Sequence, residues 1–169
     1  TLLHRMLERL PAVAPAQREA AARRWLARQA ADLASGVQDE IATSALAVIA
    51  DPRWAELFAP DALAEVPIAA LVGTRIVAGT IDRLLVGATR IRLVDFKTAR
   101  RPPATLADVP VAILRQMAAY AAALAGTYPG RMVEAALLYT QTPVLIEVPE
   151  AVLAEHKLAL LRAEESLGT

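Results

Sequence analysis

The stretch Arg75–Lys97, RIVAGTIDRLLVGATRIRLVDFK, decides the fold of this chain. It holds two runs rich in Val, Ile and Leu, and Gly87-Ala88 separates them with residues that favour a tight turn. A third run of the same kind, Glu65–Val72, is separated from the stretch by Gly73-Thr74. The pattern predicts three consecutive strands in an antiparallel meander, over 65–72, 75–86 and 89–97.

The segments after this meander predict a crossover and a second group of strands. Arg101-Pro102-Pro103 begins a loop, because proline breaks both helices and strands. A helix ended by Gly126 follows, and after it come two more strands and a closing helix. The predicted bounds are Val111–Ala125 for the helix, Met132–Thr140 and Val144–Val148 for the strands, and Glu150–Ser166 for the closing helix.

The first 60 residues have the character of helices. Apolar residues recur at three- and four-residue steps from Leu2 to Leu10, which indicates one buried helix face. Ser35-Gly36 is expected to end the second helix, and Asp51-Pro52 has the form of a helix cap followed by a first-turn proline. The predicted helices are Leu2–Leu10, Ala16–Ala34, Gln38–Ala50 and a short one through Phe58. The order of elements predicts an α/β fold with a mixed sheet covered by helices.

Composition narrows the class of protein. The chain has 169 residues, 56% hydrophobic and 21% charged, which excludes disorder and suits a globular domain. It has no cysteine, which excludes a disulfide framework, a thiolate zinc site, an iron–sulfur cluster and a cysteine nucleophile, and fits a cytoplasmic location. No apolar run has the length of a membrane span. We expect one domain over 1–169, with a helical segment over 1–60 and an α/β core over 61–169.

Basic charge is concentrated in and just after the meander. Over the whole chain, 18 basic and 18 acidic residues cancel, which argues against a stand-alone nucleic-acid-binding protein. Between Arg75 and Arg101, however, seven basic residues stand against two acidic ones, so this segment carries a charge of +5 and the remainder −5. A local basic surface is therefore expected around whatever site the meander forms.

Two aspartates in neighbouring predicted strands are the candidate site residues. Asp95 and Lys97 share one face of their strand because they are two residues apart. Asp82 lies in the preceding strand and can approach Asp95 across the hairpin. Two close carboxylates ionise together readily only if a cation joins them, and oxygen ligands favour Mg²⁺ or Mn²⁺ over zinc. A second interpretation stays open, in which these residues are ordinary surface charge pairs.

Four further polar residues are weaker candidates. His4 and Glu65 are candidate third and fourth ligands, although a single His on a Leu-rich helix is more often a packing or surface residue. Gln116 and Tyr120 are one helical turn apart and therefore share a helix face. A polar pair at the boundary of the core would have the same spacing.

As a set, these motifs resemble the RecB-like nuclease branch of the PD-(D/E)XK superfamily, and within it the AddA-type nuclease domains of helicase–nuclease proteins. The resemblance extends over nearly the whole chain and implies a restriction-endonuclease-like fold, a mixed central sheet flanked by helices. The matching segments, in the order of the family, are Thr1-Leu2-Leu3-His4-Arg5, Glu65-Val66-Pro67, Gly79–Leu84, Val94–Thr98 and Gln116–Tyr120.

The resemblance also implies a metal-binding set. By it, His4, Asp82 and Asp95 bind a catalytic metal ion, with the backbone carbonyl of Phe96 as a further ligand. Glu65 is expected at the edge of the site, acting through water. The implied ion is Mg²⁺, with Mn²⁺ as a substitute, and no iron–sulfur cluster is implied because the chain has no cysteine.

The remaining roles implied by the resemblance concern water and DNA. Lys97 is expected to hold or activate the attacking water, and Gln116 and Tyr120 to contact the metal-binding carboxylates or the DNA backbone. A bound Mg²⁺ supplies charge neutralisation and a nucleophilic water near neutral pH, which phosphodiester hydrolysis requires. Residues expected to hold flanking phosphates are Arg83, Arg100 and Arg101.

The implied function is a Mg-dependent exonuclease that hydrolyses single-stranded DNA delivered by an attached helicase during double-strand break repair. The chain begins at Thr1 without a methionine and has no GxxxxGK[ST] motif, so we expect a nuclease piece of a longer helicase–nuclease chain, not the motor. Its expected partners are single-stranded DNA, the helicase domains of that chain and a second helicase–nuclease subunit, with no membrane. Two alternatives stay open: a catalytically silent DNA-binding or scaffold module with the nuclease fold, and an unrelated α/β interaction domain.

Overall fold

The predicted meander forms three strands of a five-stranded sheet in the computed structural model, which describes residues 1–165. The strands are β1 (Leu63–Val72), β2 (Arg75–Val86), β3 (Arg90–Lys97), β4 (Met132–Tyr139) and β5 (Val144–Val148). They follow chain order across the sheet. All neighbours are antiparallel except β3 and β4, which are parallel because a helix connects them. The sheet is therefore mixed, as predicted.

Helices cover both faces of this sheet. The helices are α1 (Leu2–Arg9), α2 (Arg18–Gln29), α3 (Ser35–Ala50), α4 (Val111–Thr127) and α5 (Glu150–Glu165). Short 3₁₀ helices occupy Leu10–Ala12, Pro15–Gln17, Pro52–Phe58 and Leu106–Asp108. One core lies between α1–α3 and the sheet, and a second lies between the sheet and α4 with α5. Because both faces are covered, residues 93–96 of β3 and 135–139 of β4 are buried without interruption.

The boundary between α2 and α3 differs from the prediction. Helix α2 ends at Gln29, and Ser35-Gly36 begins α3 instead of ending α2. The physical reason is a side-chain bridge, in which the amide of Gln38 donates to the carbonyls of Ala30 and Leu33, at 3.0 Å each. These bonds satisfy carbonyl groups at the end of α2 and hold the short connection to α3.

The other elements lie close to their predicted bounds. The bounds of β2 and β5 are as predicted, and Asp51 caps the following short helix by accepting the amide of Arg53 at 3.0 Å. Gly126, expected to end α4, lies inside it, because the helix continues to Thr127. The predicted end of the closing helix at Ser166 lies outside the described residues. Within residues 1–165, no helix is both long and apolar enough to cross a membrane.

The parallel pair β3–β4 determines where a site can form. Both strands run to the same edge of the sheet, where they end at Lys97 and Tyr139. The amide of Thr140 donates to the carbonyl of Lys97 at 3.0 Å, which fixes the two strand ends to each other. Ligands of α/β sheets bind preferentially beyond the carboxyl ends of such strands.

Candidate active site

The two candidate aspartates lie where the pairing of β2 with β3 ends. The ladder runs from Val86↔Ile91 to Arg83↔Val94 and stops there, next to Asp82 and Asp95. Beyond that point, Asp82 Oδ2 accepts the backbone amide of Phe96 at 2.5 Å. The Asp82 carboxylate therefore takes a position between the two strands, beside Asp95, as the hairpin arrangement predicted.

The backbone of β1 is distorted opposite this point. Glu65 has φ = 50°, in the left-handed region that residues with a side chain rarely adopt. The β1–β2 register pairs Ala64 with Arg83 and Val66 with Ile81, but it does not pair Glu65 with Asp82, which lies opposite it. Such strain costs about 1–3 kcal/mol and is found most often at functional sites. Glu65 itself is exposed at the rim, where sequence reasoning placed it.

A chain of polar contacts connects β3 to α4. Lys97 Nζ lies 2.5 Å from Asp95 Oδ2 and donates to Gln116 Oε1 at 3.3 Å. Gln116 Nε2 then donates to the hydroxyl oxygen of Tyr120 at 3.2 Å. Since the Lys97 ammonium can only donate, the Gln116 carbonyl must face it, and the amide must face Tyr120. The structure therefore brings together four predicted site residues, Asp95, Lys97, Gln116 and Tyr120.

Gly79 provides the space that Tyr120 occupies. A Cβ atom at Gly79 would lie 1.9 Å from the Tyr120 hydroxyl oxygen and 2.8 Å from its Cζ. A side chain at position 79 would therefore force the Tyr120 ring to move, so the glycine allows Tyr120 to hold this place against β2. Sequence analysis noted Gly79 as part of a motif but assigned it no role.

The electrostatics of the site show a shortage of positive charge. The pKa of the Asp82 carboxyl is raised to about 7, mainly by burial; the bond from Phe96 opposes this shift, and the charges of Asp95 and Glu65 add to it. Burial also raises the pKa of Asp95, although the Lys97 ammonium partly opposes it. One lysine thus serves two buried carboxylates, and perturbed groups of this kind cluster at functional sites.

His4 reaches the same edge of the sheet from α1. Its ring packs edge-on against Phe96, with 5.6 Å between ring centroids, and its Nε2 lies 3.2 Å from the Thr98 hydroxyl. Burial, followed by neighbouring positive charges that include Lys97, lowers the pKa of His4 to about 4. The imidazole is therefore neutral near pH 7, which is the form that binds metals.

The donor set fits a hard divalent cation by its chemistry. Asp82 and Asp95 supply carboxylate oxygens whose raised pKa values indicate that an additional positive charge would stabilise their ionised forms. In residues 1–165, however, no three His, Asp or Glu side chains stand in a ready metal-binding arrangement. In this arrangement, the ammonium of Lys97 lies against Asp95 and the amide of Phe96 lies against Asp82.

Arg83 has a different place from the predicted DNA contact. Its side chain is only 3% exposed, its Nη2 donates to the carbonyl of Leu7, and its guanidinium lies over the ring of Phe58 at 5.1 Å. Burial lowers its pKa, against the nearby charges of Glu65, Glu8 and Asp82. Arg83 therefore connects α1 to β2 and presents no surface to a phosphate.

Arg100 and Arg101 are exposed, as a DNA contact requires. They lie in the loop that leaves β3 three residues beyond the lysine of the site. The hydroxyl of Thr142, beyond β4, donates to the carbonyl of Arg100 at 2.9 Å and holds this loop in place. The two arginines thus stand at the carboxyl edge of the sheet, close to the site in the chain.

Tyr139 is a residue that sequence reasoning missed. It is the last residue of β4, pairs with Lys97 across the parallel ladder, and is 3% exposed. Burial and then the charge of Asp95 raise its pKa. The signal available in the sequence was an aromatic residue at the end of an apolar strand, which is too common to indicate a site.

The fold and the site together define a class of protein. One buried carboxylate, one partly buried carboxylate and a lysine stand at the edge of a mixed five-stranded sheet with helices on both faces, a restriction-endonuclease-like arrangement. The chain belongs to the PD-(D/E)XK nuclease superfamily, whose family model matches residues 1–165.

Comparison with known sequences and structures adds distant similarity only. A search of curated proteins gave no match. Among solved structures, the chain is similar to one titled "Crystal structure of SSO0001", with 14% sequence identity and a TM-score of 0.40. That match covers 94% of this chain and 84% of the other.

Proposed function

We propose that this protein is a Mg-dependent deoxyribonuclease that hydrolyses phosphodiester bonds of single-stranded DNA. The superfamily supplies the reaction class. The observation that carries the proposal is the Asp95–Lys97 pair, 2.5 Å apart and largely buried, beside a second carboxylate, Asp82, whose pKa is raised to about 7. A purely structural ion pair rarely has more buried carboxylates than cations, because each buried charge without a partner is unfavourable.

The proposed metal ligands are the side chains of His4, Asp82 and Asp95 and the backbone carbonyl of Phe96, with Glu65 acting through water. A bound Mg²⁺, or Mn²⁺ in its place, would neutralise charge on the phosphate and lower the pKa of a bound water. The His4 ring is neutral and the aspartates supply hard oxygen ligands, so the set matches the preferences of these ions.

Lys97 is the residue we propose to hold the attacking water. Its ammonium has three protons, of which Asp95 and Gln116 take two in this structure, so one remains for a water or a phosphate oxygen. Gln116 and Tyr120 act as positioning residues, because their contacts fix where the lysine terminus lies. Arg100 and Arg101 would hold flanking phosphates, and this contribution would weaken as salt concentration rises.

We place this activity in a helicase–nuclease of the AddA type, where the chain would form a nuclease domain over 1–169 with its helical segment over 1–60. The sequence motifs support this assignment. The neutral net charge also suits it, since a strand delivered by an attached motor need not be captured from solution. The role we propose is that of a cytoplasmic exonuclease in double-strand break repair, working with helicase domains and a second subunit.

A second candidate function is a catalytically silent DNA-binding module. The observation that favours it is the lack of a ready three-residue metal arrangement in the described part of the chain. Such a module would bind single-stranded DNA without cleaving it.

Cleavage of labelled single-stranded DNA tests both candidates. Mg²⁺ or Mn²⁺ should support cleavage, EDTA should abolish it, and Asp95→Asn should reduce the rate at least ~10³-fold, since metal charge stabilisation amounts to several kcal/mol. Glu134→Gln is the matched control, because Glu134 is a carboxylate that contacts Arg90 and Arg92 away from the site. Metal-bound, folded protein that binds DNA without cutting it would establish the silent module instead.

A further inference from the structure

A cleft of about 280 Å³ lies beside the candidate active site, at the carboxyl ends of β3 and β4. One wall comes from α1 and α3, and the other from the loops that leave the two parallel strands. The cleft residues on which the argument depends are Leu2, Val37, Ile41 and Ser44 on the helices and Thr98, Arg100 and Gln141 on the loops. A crevice at this topological position is where α/β sheets most often bind ligands.

The cleft is continuous with the site through Thr98. Thr98 lines the cleft, and its hydroxyl lies 3.2 Å from Nε2 of His4. Arg100, two residues further along the same loop, also lines the cleft and is exposed. A strand whose phosphate lay at His4 would therefore have its adjoining nucleotide at the entrance of this cleft.

The composition of the walls fits a nucleobase. Leu2, Val37 and Ile41 form an apolar surface, and Val37 is 43% exposed. Glu40, Ser44 and Gln141 add hydrogen-bonding groups to this surface, and a carboxylate there accepts from the exocyclic amine of cytosine. Apolar walls with a few polar groups are typical of small-ligand sites, and Arg100 supplies the positive charge that a nucleotide phosphate requires.

We infer that this cleft is a nucleobase-binding subsite for the single strand, and that it takes the base of a nucleotide next to the scissile phosphate. The inference rests on the proposed function, since it assumes that single-stranded DNA is the substrate. In it, Val37 and Ile41 contact the face of the base, and Arg100 contacts its phosphate. Binding one unstacked base in this way would hold the strand in register with the catalytic residues.

The absence of cysteine from the sequence permits a direct test of this subsite. Val37→Cys introduces a single thiol at the cleft, and its alkylation rate by a maleimide is measured in EDTA with and without a short oligo(dC). At ten times its Kd, the oligonucleotide should slow alkylation about tenfold. Ser44→Cys repeats the test deeper in the cleft. Met132→Cys is the matched control, because Met132 is 61% exposed and begins β4, at the opposite end of that strand.

A second probe separates bases from phosphates. An oligonucleotide of the same length made of abasic residues keeps the backbone charge and should protect Val37→Cys at least ~5-fold less than oligo(dC). Equal protection by the two probes, or equal protection at Met132→Cys, would overturn the subsite.

Cleavage by the wild-type protein in Mg²⁺ is measured separately, so the two proposals fail independently. Cleavage without protection at Val37→Cys or Ser44→Cys overturns the subsite and leaves the nuclease intact. Protection by bases without cleavage supports the subsite and overturns the nuclease.

Discussion

Strand β3 carries two clusters of charge, one near each end, and they are built in opposite ways. Near its start, Arg92 contacts Glu147 at 2.6 Å and Glu56 and Glu134 at 3.4 Å each, and the glutamates are 29–55% exposed. Near its end, Asp95 is buried and Asp82 is partly buried, and the one ammonium beside these two carboxylates, that of Lys97, contacts Asp95.

The two clusters differ in how well water stabilises their carboxylates, and this difference indicates which of them has a functional role. Around Arg92 the carboxylates are 29–55% exposed, so water stabilises their ionised forms and the cluster contributes little to stability. Around Asp95 the carboxylates are buried and their pKa values are raised, so the fold holds them at an energetic disadvantage. We expect such a disadvantage to be retained where a ligand relieves it, and the ligand that we propose here is a cation.

The largest effect on stability is expected from a substitution that fills the space occupied by Tyr120. Gly79→Ala places a methyl group against the Tyr120 hydroxyl, so the free energy of unfolding should fall by about 2–3 kcal/mol. Because Tyr120 can no longer meet Gln116, cleavage should fall at least ~10-fold. Thermal unfolding and cleavage assays measure the two effects.

Gly126→Ala is the matched control for this substitution. Gly126 is in the same helix as Tyr120, and a Cβ atom there has no neighbour within 4 Å. The added methyl should stabilise the helix by about 0.5–1 kcal/mol without changing cleavage. Unaltered cleavage in Gly79→Ala would show that the Tyr120 position does not matter for the site.

An intermediate effect on stability is expected from replacing Asp82, which removes one carboxylate from the site. The folded pKa of Asp82 is about 7 against an ordinary value of 3.8, so the folded protein keeps a proton that the unfolded chain loses. Asp82 therefore contributes a decrease in the stability of the metal-free protein as pH rises from about 4 to about 7, and His4, whose lowered pKa of about 4 acts in the opposite direction, partly offsets it. Asp82→Asn should remove this contribution alone, so the variant should gain stability relative to the wild type across this pH range and exceed it by about 1–3 kcal/mol at pH 8. Denaturant unfolding in EDTA at a series of pH values measures it.

The same substitution should abolish metal-dependent cleavage, so stability and activity move in opposite directions. Asp39→Asn is the control, because Asp39 is an exposed carboxylate that pairs with Arg23 away from the site. A variant that is less stable than wild type at pH 8 would contradict the view that the site lacks positive charge.

The smallest effect belongs to the cluster at the start of β3. Glu147→Gln removes the shortest contact of Arg92 but leaves Glu56 and Glu134, so the cost should be about 0–1 kcal/mol and should shrink with added salt. Cleavage should not change. A loss of activity comparable to that of Asp82→Asn would contradict the claim that only the cluster at the end of β3 serves the activity.

The sheet was predictable because its determinants are local. Gly73-Thr74 and Gly87-Ala88 fix two turns, and the apolar runs beside them fix the strands. The end of α2 was not predictable, because it depends on the side chain of Gln38 reaching back to Ala30 and Leu33, a contact that leaves no periodic signal. Tertiary capping of this kind has no counterpart in sequence pattern.

The part of the site that depends on local spacing was predictable, and the part that depends on packing was not. Spacing placed Asp95 beside Lys97, and the hairpin placed Asp82 nearby. The connection of Lys97 to Gln116 depends on how α4 crosses the sheet, which only the packing decides. The place of Arg83 depends on tertiary packing, because its guanidinium reaches the carbonyl of Leu7 and the ring of Phe58, and residue types do not indicate such contacts.

The backbone amide proton of Phe96 reports on the state of the site, because it is bonded to the carboxylate of Asp82. Most amides of a central strand report only the opening of the sheet, since their partners are other strands. This amide is held instead by a carboxylate that titrates near pH 7. Its chemical shift and its exchange with deuterium should follow the protonation of Asp82, and would register a cation arriving there before any strand of DNA is cut.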